Sequence, residues 1–280
     1  MQKILLIGAK GMLGQYLAKT FAEDDLYLWD RDEIDITKPE VVKAKISELR
    51  PQVIINAAAY NDVDGTETQP AAAELVNGYG PGFLARAAEA VEAILVHYSS
   101  DYVFDGEKEE GYTESDQPNP ISRYGASKYL GERAVRENCQ KYYLIRLSRL
   151  FGSRGIGQGV KMSFVDKMLE LAETRNQLEV VDEELSCPTY ARDLAEYTRA
   201  LLGSGEPWGV YHGANSGGCT WYQFAQEIFK LKDIEIDVIP VSGDKFLRPA
   251  RRPRYSILLN TKFIPVRSWQ EALEEYLVES

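Results

Sequence analysis

The sequence is poor in sulfur and in imidazole. Its 280 residues hold three cysteines and two histidines. Cys139, Cys187 and Cys219 are scattered, odd in number and form no Cys-x-x-Cys pair. That excludes a disulfide scaffold and fits free thiols in a reducing cytoplasm. With only His97 and His212, no histidine-based metal site is expected and no metal is assigned. Positive charge is also short, since 32 Lys and Arg against 43 Asp and Glu leave a net charge of −11. Such a chain lacks the basic face that a nucleic-acid backbone needs, although a small anionic ligand answers to local charge. No run approaches the ~18 consecutive apolar residues of a membrane span. The start, Met1 to Gly8, is not expected to act as a signal peptide, because its apolar run is short and leads into glycines. A cytoplasmic protein with neither nucleic-acid nor membrane partners is the expectation. The remaining composition, 44% apolar and 27% charged, is that of an ordinary globular chain of one to two domains.

Over the first half, apolar runs of strand length alternate with helical patterns. Strands are expected at Lys3 to Ile7, Leu26 to Trp29, Val53 to Ile55, Ile94 to Tyr98 and Tyr142 to Arg146. Helices are expected at Met12 to Ala22, Thr37 to Leu49 (from a Thr-x-x-Glu capping box), Ala71 to Ala90 and Tyr124 to Glu137. Pro81 and the glycines of Gly78–Gly82 should kink or break the third of these. Continuous apolar strands alternating with helices predict an α/β fold, a Rossmann-type doubly wound parallel sheet covered on both faces. After about residue 150 the rhythm loosens. Helices are expected at Ser163 to Glu173, Tyr190 to Leu202, Trp221 to Leu231 and Trp269 to Leu277. Short strands are expected at Leu178 to Val181, Val210 to His212 and Ile236 to Ile239. This reads as a dinucleotide-binding domain over residues 1–150 and a smaller, mainly substrate-binding α/β lobe over 151–280, some of whose segments return to the first domain.

Gly8-Ala9-Lys10-Gly11-Met12-Leu13-Gly14 follows a strand and opens a helix. A tight strand-to-helix turn needs positive φ, and a pyrophosphate must approach bare backbone and the free N–H groups of a helix start. A glycine-rich turn kept only for packing is the bland alternative. At the end of the second strand, Asp30 suits the ribose hydroxyls of NAD and Arg31 the 2′-phosphate of NADP, so NADP(H) and NAD(H) both stay open. Asp35 and Ile36 are placed at the adenine edge.

Tyr124-Gly-Ala-Ser-Lys128 puts a phenol and an ammonium one helical turn apart on the same face. The spacing alone is weak, because 17 tyrosines and 15 lysines give about one such pair by chance. Its context strengthens it. Ser99-Ser100-Asp101-Tyr102 ends the preceding strand, where an open parallel sheet places reactive groups.

Together these features resemble the extended short-chain dehydrogenase/reductase family, and within it the dTDP-4-dehydrorhamnose reductase (RmlD-like) branch. The resemblance spans the chain. It is carried by Asn56-Ala57-Ala58-Ala59-Tyr60 with Val63-Asp64, by residues 99–106 (Ser-Ser-Asp-Tyr-Val-Phe-Asp-Gly), and by the Tyr124–Lys128 segment with Gly131-Glu132. Pro188-Thr189-Tyr190 with Asp193-Leu194-Ala195, Trp221-Tyr222-Gln223-Phe224-Ala225 and Arg252-Pro253 complete it.

The resemblance implies reduction of a 4-keto nucleotide sugar, with dTDP-4-dehydro-L-rhamnose to dTDP-L-rhamnose for cell-surface polysaccharide precursors as the leading case. It implies Tyr124 as proton donor, Lys128 lowering the phenol's pKa and holding the nicotinamide ribose, and Ser100 fixing the carbonyl oxygen. Ala57, Ala58, Ala59, Tyr60 and Ser99 would lie along the cofactor, with the alanines alternatively mere packing. Val63, Ser100, Asp101, Tyr102, Arg149 and Arg252 would meet the substrate, with Tyr102 alternatively core. Arg248, Arg251, Arg252 and Arg254 form a basic cluster suited to a diphosphate, Arg252 foremost. A homodimer is allowed.

Departures from the branch fall at the substrate side. Ser100 stands where Thr is common, Arg149 where Trp is common, Glu184 and Ser186 where Gln and Gly are usual, Ser163 where Asn is usual, and Gln15 where a Glu linked to metal-dependent dimerisation occurs. Two rivals remain. A nucleotide-sugar dehydratase or epimerase shares the fold, but Asp101 is followed by Tyr102 where the 4,6-dehydratases place Glu. A non-catalytic NADP-binding subunit resembling methionine adenosyltransferase β would also keep the Ser-Ser-Asp-Tyr-Val-Phe-Asp-Gly segment.

Overall fold

The computed structural model describes residues 1–157 and 161–279. The first half runs β1 (Lys3–Ile7), α1 (Met12–Thr20), β2 (Asp25–Trp29), α2 (Pro39–Leu49) and β3 (Val53–Asn56). Then come α3 (Val63–Thr68), α4 (Pro70–Ala73), a π-helical turn (Glu74–Tyr79), α5 (Gly80–Ala90), β4 (Ile94–Ser100), α6 (Arg123–Asn138) and β5 (Tyr142–Leu147). The second half adds β6 (Leu150–Phe151), α7 (Phe164–Ala172), β7 (Gln177–Val181), β8 (Thr189–Tyr190), α8 (Ala191–Ser204) and β9 (Gly209–His212). It closes with α9 (Trp221–Leu231), β10 (Asp237–Val241) and α10 (Trp269–Glu279).

Six parallel strands form the central sheet in the order β2-β1-β3-β4-β5-β9. Side chains of a strand alternate between faces, so each strand feeds two cores. Ile4 and Leu6 of β1 pack with Val53, Ile55, Val96 and Leu194, whereas Leu5 and Ile7 pack with Ile54, Val42, Ile46 and Leu84. All four β1 residues are at most 1% exposed, which is why the strand reads as an unbroken apolar run. β9 comes from the second half and pairs with β5, Tyr143 opposite Gly209 and Arg146 opposite His212. α8 packs on α1. Two small parallel pairs, β7 with β10 and β6 with β8, carry the rest of the second half. The strand order reverses between β1 and β3, and the crevice beyond their C-terminal ends is where such sheets bind ligands.

Two local expectations are corrected. Thr37 does not cap α2. Its hydroxyl and amide are both taken by Asp35 Oδ1, at 2.6 and 2.9 Å, and the helix starts at Pro39 without a side-chain cap. Pro81 does not end the helical run, because the backbone stays right-handed helical at the junctions on either side of the π turn; the interruption expected in this segment takes the form of that turn. Proline needs a helix position whose N–H goes unused, and the turn provides it at the start of α5. The glycines serve packing instead. A Cβ on Gly78 would lie 2.5 Å from Leu130 Cδ2, and one on Gly82 would lie 3.0 Å from the Ala134 Cβ, both on α6.

Candidate active site

The turn after β1 is built for close approach. Gly8 has φ +82°, and a Cβ there would lie 2.7 Å from Ala58 N. A Cβ on Gly14 would lie 2.2 Å from the Gly8 carbonyl, so only glycine lets α1 sit this tightly on the turn. Gly11 precedes α1 without a side-chain cap, and no acidic residue occupies the first turn. The helix start therefore presents unpaired N–H groups and a positive end of the dipole, the chemistry a pyrophosphate requires. Leu13 is buried in the core and Met12 packs against it, so these two face a ligand only through their amides.

Asp30 braces this turn from β2. It accepts from Lys10 N (3.0 Å) and Arg31 N (2.8 Å). Arg31 is exposed beside it. Asp35 is held by Thr37, whose hydroxyl keeps its carboxyl below the usual range against the opposing effect of burial. Ile36 is buried, and its side chain meets Gly80.

On the opposite side, half-buried Ala57, Ala58, Ala59 and Tyr60 follow β3. Asn56 orders this turn by accepting from Ala58 N (3.2 Å). Asn77, from the π turn, accepts from Tyr60 N (2.8 Å) and donates to Tyr60 O (3.0 Å) and Ser127 Oγ (3.1 Å). It joins the cofactor-side turn to α6. Sequence reasoning missed Asn77; its signal was the Gly-Tyr-Gly-Pro-Gly that follows it.

At the tip of β4 the structure brings the Ser100 hydroxyl to the Tyr124 phenol, and Lys128, one turn further along α6, is buried as well. Ser122 caps α6 by accepting from Gly125 N (3.1 Å). A Cβ on Gly125 would lie 2.1 Å from the Tyr102 carbonyl, so glycine lets the helix start against the strand end and sets Tyr124 there. Burial and the Asp101 charge push the Tyr124 phenol above its ordinary pKa, and the Ser100 hydroxyl opposes this by hydrogen bonding. This corrects the expectation that Lys128 lowers the phenol. The Lys128 ammonium donates to the Tyr98 carbonyl (2.7 Å), and burial pushes its own pKa down to about 8, with Glu132 one turn on pulling upward. Tyr124 is thus protonated at neutral pH, the state a proton donor needs. Ser99 is buried, and its Oγ has no hydrogen-bond partner among the described residues.

The expected substrate-side residues are more committed to the protein than the sequence implies. Asp101, 3% exposed, takes three serine hydroxyls. Tyr102 is half-buried, its ring edge-on to Tyr124 at 5.5 Å. Val63 opens α3, half-buried. Arg149 adopts φ +42°, donates to Cys219 O (2.9 Å) and Glu184 O (2.6 Å), and stacks 3.9 Å over Trp221. Glu184 in turn accepts from Trp221 Nε1 (3.0 Å) and pairs with Arg248. Arg252 is no open diphosphate grip in this structure. It clasps Asp64 with two bonds of 2.7 and 2.6 Å and also donates to Ala250 O. A guanidinium fork matches a carboxylate as well as it does a phosphate, and Asp64 got there first. Ser163 caps α7, which explains a serine at that position. Among the described residues no three His, Cys, Asp or Glu side chains gather as a metal set.

The whole chain, residues 1–280, matches the family model described as RmlD substrate binding domain. The Bacillus subtilis spore coat polysaccharide biosynthesis protein SpsK is 35% identical, over 100% of this chain and 98% of its own length. A Burkholderia thailandensis dTDP-4-dehydrorhamnose reductase is 36% identical, over 92% and 90%. The crystal structure of dTDP-4-dehydrorhamnose reductase from Bacillus anthracis, in complex with NADP, superposes with a TM-score of 0.94 at 37% identity and covers 100% of both chains. A glycine turn after β1 of a six-stranded parallel sheet, a buried Ser100–Tyr124 pair at the tip of β4 and full-length likeness in sequence and shape converge: the chain belongs to the RmlD family of Rossmann-type extended short-chain dehydrogenase/reductases.

Proposed function

We propose that the chain is an NAD(P)H-dependent reductase of a 4-keto nucleotide sugar, with dTDP-4-dehydro-L-rhamnose as substrate and dTDP-L-rhamnose as product. The observation that carries this reading is the buried meeting of Ser100 with Tyr124, with Lys128 buried one helical turn on, in a chain whose first turn is shaped for a dinucleotide. The residues present fit the cofactor: the Gly8–Gly14 turn and the start of α1 for the pyrophosphate, Asp30 and Arg31 for the ribose end, and Ala57–Tyr60 with Ser99 along its path. When bound, a reduced nicotinamide supplies hydride to the sugar carbonyl carbon.

The chain's own groups handle the oxygen. Tyr124 Oη holds the proton that passes to the developing alkoxide. Ser100 positions that oxygen, and Lys128 supplies a cation within the same water-poor site, where charge acts strongly. The sugar named is the one that the dTDP-4-dehydrorhamnose reductases similar to this chain act on, and the Arg149, Glu184 and Arg248 cluster is where this chain sets its own preference. The reading puts the reaction among cell-surface polysaccharide precursors in the cytoplasm and allows a homodimer.

Single-turnover oxidation of NADPH and of NADH against a panel of 4-keto nucleotide sugars tests it. Tyr124→Phe is expected to lower turnover by about 10²–10⁴-fold, the usual worth of a general acid, with cofactor affinity largely kept. Equal turnover in that variant overturns the proton-donor assignment. No oxidation with any keto sugar, together with co-purification with a methionine adenosyltransferase, would favour the regulatory-subunit reading instead.

A further inference from the structure

Three serines from separate parts of the chain fill one carboxylate. Ser100 Oγ, at the tip of β4, donates to Asp101 Oδ1 at 2.9 Å. Ser148 Oγ, after β5, and Ser256 Oγ, in the C-terminal segment, donate to Oδ2 at 2.8 and 2.7 Å. All four residues are buried. Three donors and no paired acceptor match an ionised carboxylate, which only accepts.

A serine hydroxyl has one proton. While Ser100 gives it to Asp101, Ser100 can only accept. It accepts from Tyr102 N (3.2 Å), and its other side faces the Tyr124 phenol. We propose that Asp101 is a positioning residue that acts through Ser100. In the resting site it holds the Ser100 proton, which fixes the Ser100 hydroxyl against the Tyr124 phenol. When a substrate carbonyl enters, Asp101 releases the Ser100 proton toward its oxygen, the same oxygen that Tyr124 then protonates.

The step is a rotation about the Ser100 Cβ–Oγ bond. One hydrogen bond, to Asp101 Oδ1, breaks and one, to the substrate oxygen, forms, with no covalent change. Ser148 and Ser256 make the release feasible. They stay on Oδ2, so the buried charge is never left without donors, a state that costs heavily. The charged and titratable groups facing Asp101 are Arg149, Tyr102, Tyr124 and Cys187. Burial pushes the Asp101 carboxyl up, and the three hydroxyls and Arg149 pull it back.

The inference rests on the reductase reading, and its test separates the two. In a double-mutant cycle, Asp101→Asn is expected to lower kcat about tenfold with KM within about twofold, and to cost nothing further once Ser100 is alanine. Ser256→Ala is the milder probe, with an expected loss of about threefold that is likewise absent in the Ser100→Ala background. Equal losses in both backgrounds, or a raised KM with kcat intact, overturn the proposal.

A second readout needs no turnover. With ¹³C-labelled tyrosine, the Tyr124 ring signal, assigned by its loss in Tyr124→Phe, should shift at pH 7 on Asp101→Asn. The shift should vanish in Ser100→Ala. A signal unmoved by Asp101→Asn sinks the inference even if the enzyme is active. A wild-type chain that reduces no keto sugar while showing the coupled shift sinks the reductase reading instead.

Discussion

Burial acts on the two central side chains of the site in opposite senses. It removes charge from both, raising the phenol of Tyr124 and lowering the ammonium of Lys128 to about 8. The acid therefore stays loaded across the neutral range, while the cation is lost as pH rises through about 8. If Lys128 serves as a cation, kcat should hold through neutral pH and fall above about 8, by up to tenfold per unit. A profile measured from roughly pH 6 to 10 checks this, and a rate level through pH 9 contradicts it. At this scale the sequence showed what local spacing can show. Tyr124 and Lys128 lie four apart, and Gly8, Gly11 and Gly14 sit where a strand turns into a helix. It could not show that Arg252 spends its fork on Asp64, 188 positions away, or that Arg149 lies on Trp221, because nothing local records those pairings. Asp101 and Tyr102 directly follow β4, as the sequence has them, but two of the serines around Asp101 come from positions 148 and 256 and left no pattern.

At the level of elements, boundaries were legible wherever a side chain was uncontested. Trp221–Leu231 matches the reading from its periodicity, and there Thr220 and Gln223 form a full capping box. The same reasoning failed at Thr37, where a nearby carboxylate captured the hydroxyl. It failed again at Pro81, where a π turn absorbed the proline and brought Asn77 to Tyr60 and Ser127. Propensity rules describe a helix alone; these elements are shaped by what they pack against. The start of α6 gives a direct test. Gly125→Ala would drive a methyl to 2.1 Å from the Tyr102 backbone. It should destabilise the fold by about 1–3 kcal/mol through overpacking and lower kcat by shifting Tyr124. Thermal melts and steady-state rates measure both; unchanged values would mean that the helix start has slack.

For the molecule as a whole, the alternation of strands and helices was enough to predict the doubly wound sheet, since buried parallel strands leave continuous apolar runs. The sixth strand was less visible. Val210 to His212 looked like any short strand, and nothing local says that it pairs with β5. A piece ending at residue 150 would leave β5 with an open edge and would strip α8 from α1. Such an edge is a template for association, so fragment 1–150 is expected to aggregate or stay molten where the full chain melts cooperatively. A monodisperse 1–150 fragment with a cooperative melt would show that the edge is dispensable.

The returning strand also fixes what can be exchanged between relatives. A chimaera that borrows a nucleotide-binding half must import residues 191–212 with it, or its donor sheet will be capped by a stranger's edge. Substrate preference can then be transplanted only through the loops and small strands left over, the stretches bearing Arg149, Glu184 and Arg248.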